Sequence, residues 1–352
     1  MASSGISGYA AVNARVRVMY STLLTPQEMD RLSEAPDFNS LIEQLKHTAY
    51  GLYLEQVRDR DLSPRRAAFQ LRERLANAYS SIIGIVPDQT RPLLVQLYRF
   101  FEVSNLKAVL RGIVKGEPWD VVKYLLFPFG SRTIIPAEEM LTANNVAPAV
   151  ELLRGTPYYQ TLSYAMKRYS AEQSLFPLEV TLDLNYWRDL WKNVKQLSSL
   201  DRTQAGRVIG TMLDITNLMW AIRYRTYYHL SEEEVINYTL PFGYHVHDED
   251  IRGIAAGADI AQVVQRVYPS MTQVEGLTDK SGDGLSQLEL QLQRRVFDQC
   301  QAAFVGDPFH VGIPLAYLLL NDLEIQDLVV LIEAKSSNIP AEKFKQYMIM
   351  KN

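Results

Sequence analysis

Apolar residues along this chain recur every three or four positions and strict alternation is rare, so the pattern predicts helix almost throughout. Val208, Met212, Ile215, Met219 and Ile222 follow i, i+4, i+7, i+11 and i+14, which places them on one face of one helix. The segment from Ile236 to Tyr244 is rich in residues that favour strands, but Pro241 and Gly243 cut it short. Pro64, Pro87, Pro92, Pro128, Pro241, Pro308 and the run Ser281-Gly282-Asp283-Gly284 each predict a loop.

The polar positions embedded in this pattern repeat. Glu102-Val-Ser-Asn105-Leu106, followed by Leu110-Arg111, returns as Asp214-Ile-Thr-Asn217-Leu218, followed by Ile222-Arg223. A third copy reads Glu324-Ile-Gln-Asp327-Leu328, followed by Ile332-Glu333. The offsets are 112 and 110 residues, and the columns Leu97/Ile209/Leu319, Phe101/Leu213/Leu323 and Val103/Ile215/Ile325 are apolar in all three copies. A second block, Thr25 to Met29, Pro136 to Met140 and His247 to Ile251, recurs at nearly the same distance, each copy followed by a tyrosine at Tyr50, Tyr158 or Tyr268. Pro128-Phe129-Gly130 matches Pro241-Phe242-Gly243, and Leu178-Glu179 matches Leu288-Glu289. The expected fold is therefore all-α, with three similar helical repeats of about 110 residues spanning 1–125, 126–237 and 238–352. Three similar units packing through equivalent surfaces close around a pseudo-threefold axis, so the expected arrangement is a funnel with a central socket.

Composition narrows the partners. Hydrophobic residues make up 47% and charged residues 22% of the 352-residue chain, as in an ordinary globular protein. A net charge of −4 argues against nucleic acid, which needs clustered Lys and Arg. Cys300 is the single cysteine, so no intramolecular disulfide forms and a reducing compartment is expected. Met1 to Gly8 lacks the basic and apolar regions of a signal peptide, and no apolar run approaches the roughly 20 residues that span a bilayer. Membrane association is expected only through a protein partner.

Reactive chemistry is sparse. Arg111-Gly112-Ile-Val-Lys115-Gly116 is glycine-punctuated but is not the GxxxxGK[ST] phosphate loop, and it reads as a helix end. Asp279 to Gly284 opens like a calcium loop, yet Leu290 stands where the bidentate Glu belongs. His245, His247 and Asp248 lack a fourth spaced ligand, so no metal and no cofactor is expected. A helical-repeat adaptor with a different partner is the first rival reading. An enzyme built on Glu102, Glu179 and Asp214 is the second, weakened because these acids have counterparts in other repeats.

The run from Leu213 through Asp214, Asn217, Arg223, Arg225, Ser231, Asn237, Pro241 and Gly243 to Tyr244 resembles the C subunits of archaeal and bacterial V/A-type ATPases, relatives of the d subunit of eukaryotic V-ATPases. Tyr9-Ala-Ala-Val-Asn13-Ala-Arg15-Val-Arg17 and Asp307-Pro308-Phe309-His310-Val311-Gly312 resemble the same family. The resemblance implies a non-catalytic rotor protein on the cytoplasmic face of the membrane, one copy per complex. Its partners would be the central-stalk subunits and the proteolipid ring. Arg111, Arg223 and Arg225 are the candidate partner contacts, their alternative being intramolecular ion pairs. Glu102, Asn105, Asp214, Asn217, Glu324 and Asp327 are the candidate structural residues between lobes.

Overall fold

The computed structural model describes residues 2–271 and 283–350. Among them every regular element is a helix, eighteen α-helices and three 3-10 turns, as the hydrophobic period predicts. Along the chain, short helices are followed three times by a pair of long ones: Pro64–Ile85 with Arg91–Lys115, Phe176–Lys195 with Ser199–Thr226, and Asp283–Ala302 with Gly312–Ser336. The second helix of each pair carries the repeated acid and its partner three residues on.

Local chemistry sets the helix ends. Thr25 caps Pro26–Ser33 and exchanges bonds with Glu28, and Ser231 does the same with Glu234 at Glu232–Asn237, so orphan amides of the first turn are satisfied. Pro64 and Pro92 differ from expectation: they stand in the first turn of long helices rather than in loops. A first-turn residue has no intrahelical partner for its N–H, so proline's missing donor costs nothing there. Gly116 ends its helix in the left-handed region at φ 66°, which confirms the glycine-punctuated run as a helix terminus. The segment from Leu240 to Val246 has no regular structure, and the helix before it ends at Asn237. The calcium-loop-like run, through Gly282, lies outside the described residues.

The chain folds as two compact units. One comprises Thr22–Asn193 and Leu331–Ile339. Its core includes a set of rings in which Tyr79 stacks on Tyr98 at 4.6 Å and Phe101 on Phe127 at 4.0 Å, with Phe129 against Tyr98 at 4.6 Å. Leu71, Leu75 and Ile82 of the Pro64–Ile85 helix are fully buried, each contributing roughly 1.5–3 kcal/mol by leaving water. The other unit comprises Met1–Ser21, Val194–Val330 and Pro340–Asn352. The Ser199–Thr226 helix buries residues on most of its circumference, Val208, Leu213, Leu218, Met219 and Ile222 among them. The division between Asn193 and Val194 falls inside the span 126–237, so sequence repeats and packing units partition the chain differently.

Candidate functional site: a repeated polar clamp

Each polar column of the repeat reaches out from a long helix to seize backbone that follows it in the chain. Asn105, buried on Arg91–Lys115, donates from Nδ2 to the Phe127 carbonyl at 3.0 Å and accepts the Phe127 amide at 2.7 Å on Oδ1. Asn217, buried on Ser199–Thr226, accepts the Leu240 amide at 2.9 Å and donates to the Leu240 and Phe242 carbonyls at 3.0 and 3.1 Å. A carboxamide offers one donor edge and one acceptor edge, the complement of a residue's C=O and N–H. Asp327 has two acceptor oxygens instead, and it takes two consecutive amides, Ile349 and Met350, at 2.8 Å each.

The acids three residues earlier act on the chain just beyond. Glu102 accepts the Ile134 amide at 3.4 Å and the Tyr158 hydroxyl at 2.6 Å. Asp214 accepts three amides, from Tyr244, His245 and Val246, at 2.7 to 3.0 Å, and the Tyr268 hydroxyl at 3.0 Å. Burial raises the Asp214 carboxyl above the usual carboxylate range, while the amides and the phenol oppose that rise. Burial first, and then the neighbouring acid, push the Tyr158 and Tyr268 phenols far above the ordinary tyrosine value, so both stay protonated and donate. Glu324 is fully buried on Gly312–Ser336. The repeated tyrosines are thus not exposed ligands: Tyr50, Tyr158 and Tyr268 are all buried.

Charges between helices repeat as well. Arg111 forms a two-pronged pair with Glu179 at 2.6 and 2.8 Å, one turn from Lys107 on Asp183 at 2.7 Å, joining Arg91–Lys115 to Phe176–Lys195. Arg223 meets Glu289 at 2.6 Å, joining Ser199–Thr226 to Asp283–Ala302. Arg225 donates to the Ile254 and Ala258 carbonyls at the end of the Asp248–Ala256 helix, at 3.0 and 2.8 Å. A cation there satisfies carbonyls that lack intrahelical partners. Glu333, the third-copy counterpart of Arg111 and Arg223, is exposed. All three candidate arginines therefore make bonds within the chain.

One site escapes the repeat. Asp201 accepts the Tyr9 hydroxyl and the Val311 amide at 2.8 Å each and the Ser198 hydroxyl at 2.9 Å. Asn13, one turn after Tyr9, donates to the carbonyl of Pro308, three residues before Val311. The segments around Tyr9 and Asp307 to Gly312 stand out in the sequence, but the acid that joins them carries no signal beyond Ser198-x-x-Asp201, which reads as a helix cap.

No group of three or more His, Cys, Asp or Glu residues among those described is arranged to hold a metal ion. Glu102, Glu179 and Asp214 are each engaged by their own partners: backbone amides, phenols and a guanidinium. Geometry of this kind defines a helical scaffold, in which polar groups fix chain segments and none of these acids is presented for reaction. A family model described as ATP synthase (C/AC39) subunit matches residues 12–347, and the chain belongs to that family. It is a structural subunit rather than a catalytic one. It is similar to the A-type ATP synthase C subunit of Methanocaldococcus jannaschii, 24% identical over 353 residues, covering 98% of this chain and 87% of that protein. The protein of the same name from Methanothermobacter thermautotrophicus is 26% identical, covering 93% of this chain and 84% of that protein. That of Archaeoglobus fulgidus is 22% identical over 348 residues, covering 98% and 97%.

Proposed function

We propose that this protein is the central-rotor coupling element of a rotary V/A-type ATPase, the socket that joins the central stalk to the membrane proteolipid ring. Family membership across residues 12–347 is the observation that carries the reading. A torque-bearing part must not yield between its ends, and chain segments bound to helices by buried, multiply bonded side chains resist such yielding. No helix among the described residues is long and apolar enough to cross a membrane, which suits a peripheral protein attached through the ring on the cytoplasmic face. The division into repeats spanning 1–125, 126–237 and 238–352, set around a pseudo-threefold axis, belongs to the same proposal. So does contact of Arg111, Arg223 and Arg225 with acidic groups of the stalk, made by guanidinium surface left beside their internal bonds.

The test is reconstitution of the holoenzyme with and without this chain in proteoliposomes. The expected result is that omission leaves ATP hydrolysis by the soluble head intact and abolishes ATP-driven ion uptake, which returns when the chain is added back. Full ion uptake without the chain would overturn the proposal.

A further inference from the structure

The repeated tyrosine is covered in two copies of the repeat and open in the third. Arg74 lies over the Tyr50 ring at 4.5 Å and donates to the Thr22 hydroxyl at 2.9 Å, and Arg295 lies over the Tyr268 ring at 4.5 Å. Both arginines stand on the first long helix of their copy, three residues after a leucine, Leu71 or Leu292. In the middle copy that leucine is Leu182, and the residue three on is Asn185, several atoms shorter than an arginine. An open pocket of about 300 Å³ lies there, lined by Tyr158, Leu182 and Asn185 among others. We propose that this pocket receives an arginine side chain of a partner protein, which lies over the Tyr158 ring and supplies in trans the guanidinium that the other two copies supply from their own chain.

A guanidinium stacks on an aromatic face because its spread positive charge meets the negative face of the ring. The two arginine-bearing copies show which group this place accommodates, and the middle copy keeps the ring for it: Tyr158 is buried and its hydroxyl is held by Glu102 at 2.6 Å. The surrounding charges suit a cation. Asp189 lines the pocket from the Phe176–Lys195 helix and Glu102 lies beyond the phenol, against one cation, Arg99, on the wall formed by Arg91–Lys115. Arg99 is itself particular to this copy, with Thr211 and Asn321 at its place in the others, and it stands on a different helix from Asn185. Beside the pocket, Phe100 is 39% exposed and meets Tyr186, another lining residue, at 5.6 Å. An exposed aromatic ring next to an arginine and a pocket is the kind of surface on which a protein partner anchors, so the incoming arginine belongs to a protein rather than to a free small molecule.

Asn185→Cys places a thiol on the pocket wall of the full chain, and the native Cys300 is fully buried, so reagent chemistry reads the pocket alone. Modification by cationic aminoethyl methanethiosulfonate is expected to be about tenfold faster than by its anionic sulfonatoethyl counterpart, each relative to a free thiol in solution. Arg99→Gln should widen that ratio and Asp189→Asn should narrow it. N-acetyl-arginine amide should slow the modification, whereas N-acetyl-glutamate amide should not. A preference for the anionic reagent, or protection by glutamate in place of arginine, overturns the proposal, because the pocket is then an anion site built on Arg99. If Asn185→Cys does not fold, Asn185→Arg decides: a guanidinium supplied in cis should raise the melting temperature by about 2 °C, and no rise overturns the proposal. In the reconstituted complex, the one arm that rests on the rotor reading, the thiol should be protected without added arginine. Unslowed modification in an assembled complex overturns the partner's arginine, while a chain that joins no complex counts against the rotor reading and leaves the decision to the free chain.

Discussion

Glu102 and Asp214 stand at one repeat position in the two packing units, and they solve the same problem differently. Glu102, one methylene longer, takes a single long amide bond and depends on the Tyr158 hydroxyl at 2.6 Å. Asp214 holds its carboxylate closer to its own helix, so the following segment has to come to it, and three amides wrap its oxygens. That approach leaves no room for a side chain at Gly243, where a Cβ would lie 2.2 Å from Asp214 Oδ1 and 2.8 Å from the Val246 carbonyl. Gly130, the matching glycine after Glu102, has open space and is required instead by its positive φ of 56°. A Pro-Phe-Gly repeated within one chain thus answers to two different physical demands. The repeated acid fixes which segment is held, while its length fixes how closely.

Substitution separates the two arrangements. Asp214→Ala strands three amides and a phenol and is expected to cost about 5 kcal/mol, against about 3 kcal/mol for Glu102→Ala, both read by chemical denaturation. Equal losses would show that the number of amides held is irrelevant. Gly243→Ala should cost about 3 kcal/mol through overpacking, and Asp214→Ala should suppress much of that cost in the double variant because the clashing oxygen is gone. Simple additivity would refute the close-approach account. The tyrosines invert the order: Tyr158→Phe removes the main partner of Glu102 and should cost about 2 kcal/mol, whereas Tyr268→Phe leaves Asp214 its amides and should cost about 1 kcal/mol. The smallest effect is expected for Arg111→Ala, whose guanidinium-bearing side chain is 57% exposed and whose ion pair is worth under about 1 kcal/mol. If Arg111, Arg223 and Arg225 also touch the stalk, charge reversal at Arg223 should weaken stalk binding far more than it lowers the melting temperature. Parallel losses in the two measurements would assign Arg223 to helix packing alone.

Much of this was legible in the residues. The helical period, the repeated Glu102-x-x-Asn105 and Asp214-x-x-Asn217 pairs, and the tyrosine that follows each block all point to buried polar groups with fixed partners, because such groups persist inside a fold only when bonded. Other features were hidden. Asp201 joins the Ala2–Tyr20 helix to the turn at Val311, across 192 and 110 positions of chain, and no local pattern encodes a partner at that distance. Pro64 and Pro92 were ambiguous because proline breaks a helix interior and starts a helix equally well, and only the direction of the following chain separates the two.

The class of fold, the positions that repeat and the family could be read without coordinates, since they depend on periodicity and on which residue types recur. What those positions hold was decided only by packing. A buried carboxylate or amide is satisfied by whichever backbone comes within about 3 Å, and that is settled by how segments far apart in sequence come together. The same physics separates Asp327 from Asn105 and Asn217: the change from amide to acid was visible in the sequence, but only the fold shows that both of its oxygens accept consecutive amides of the C-terminal segment.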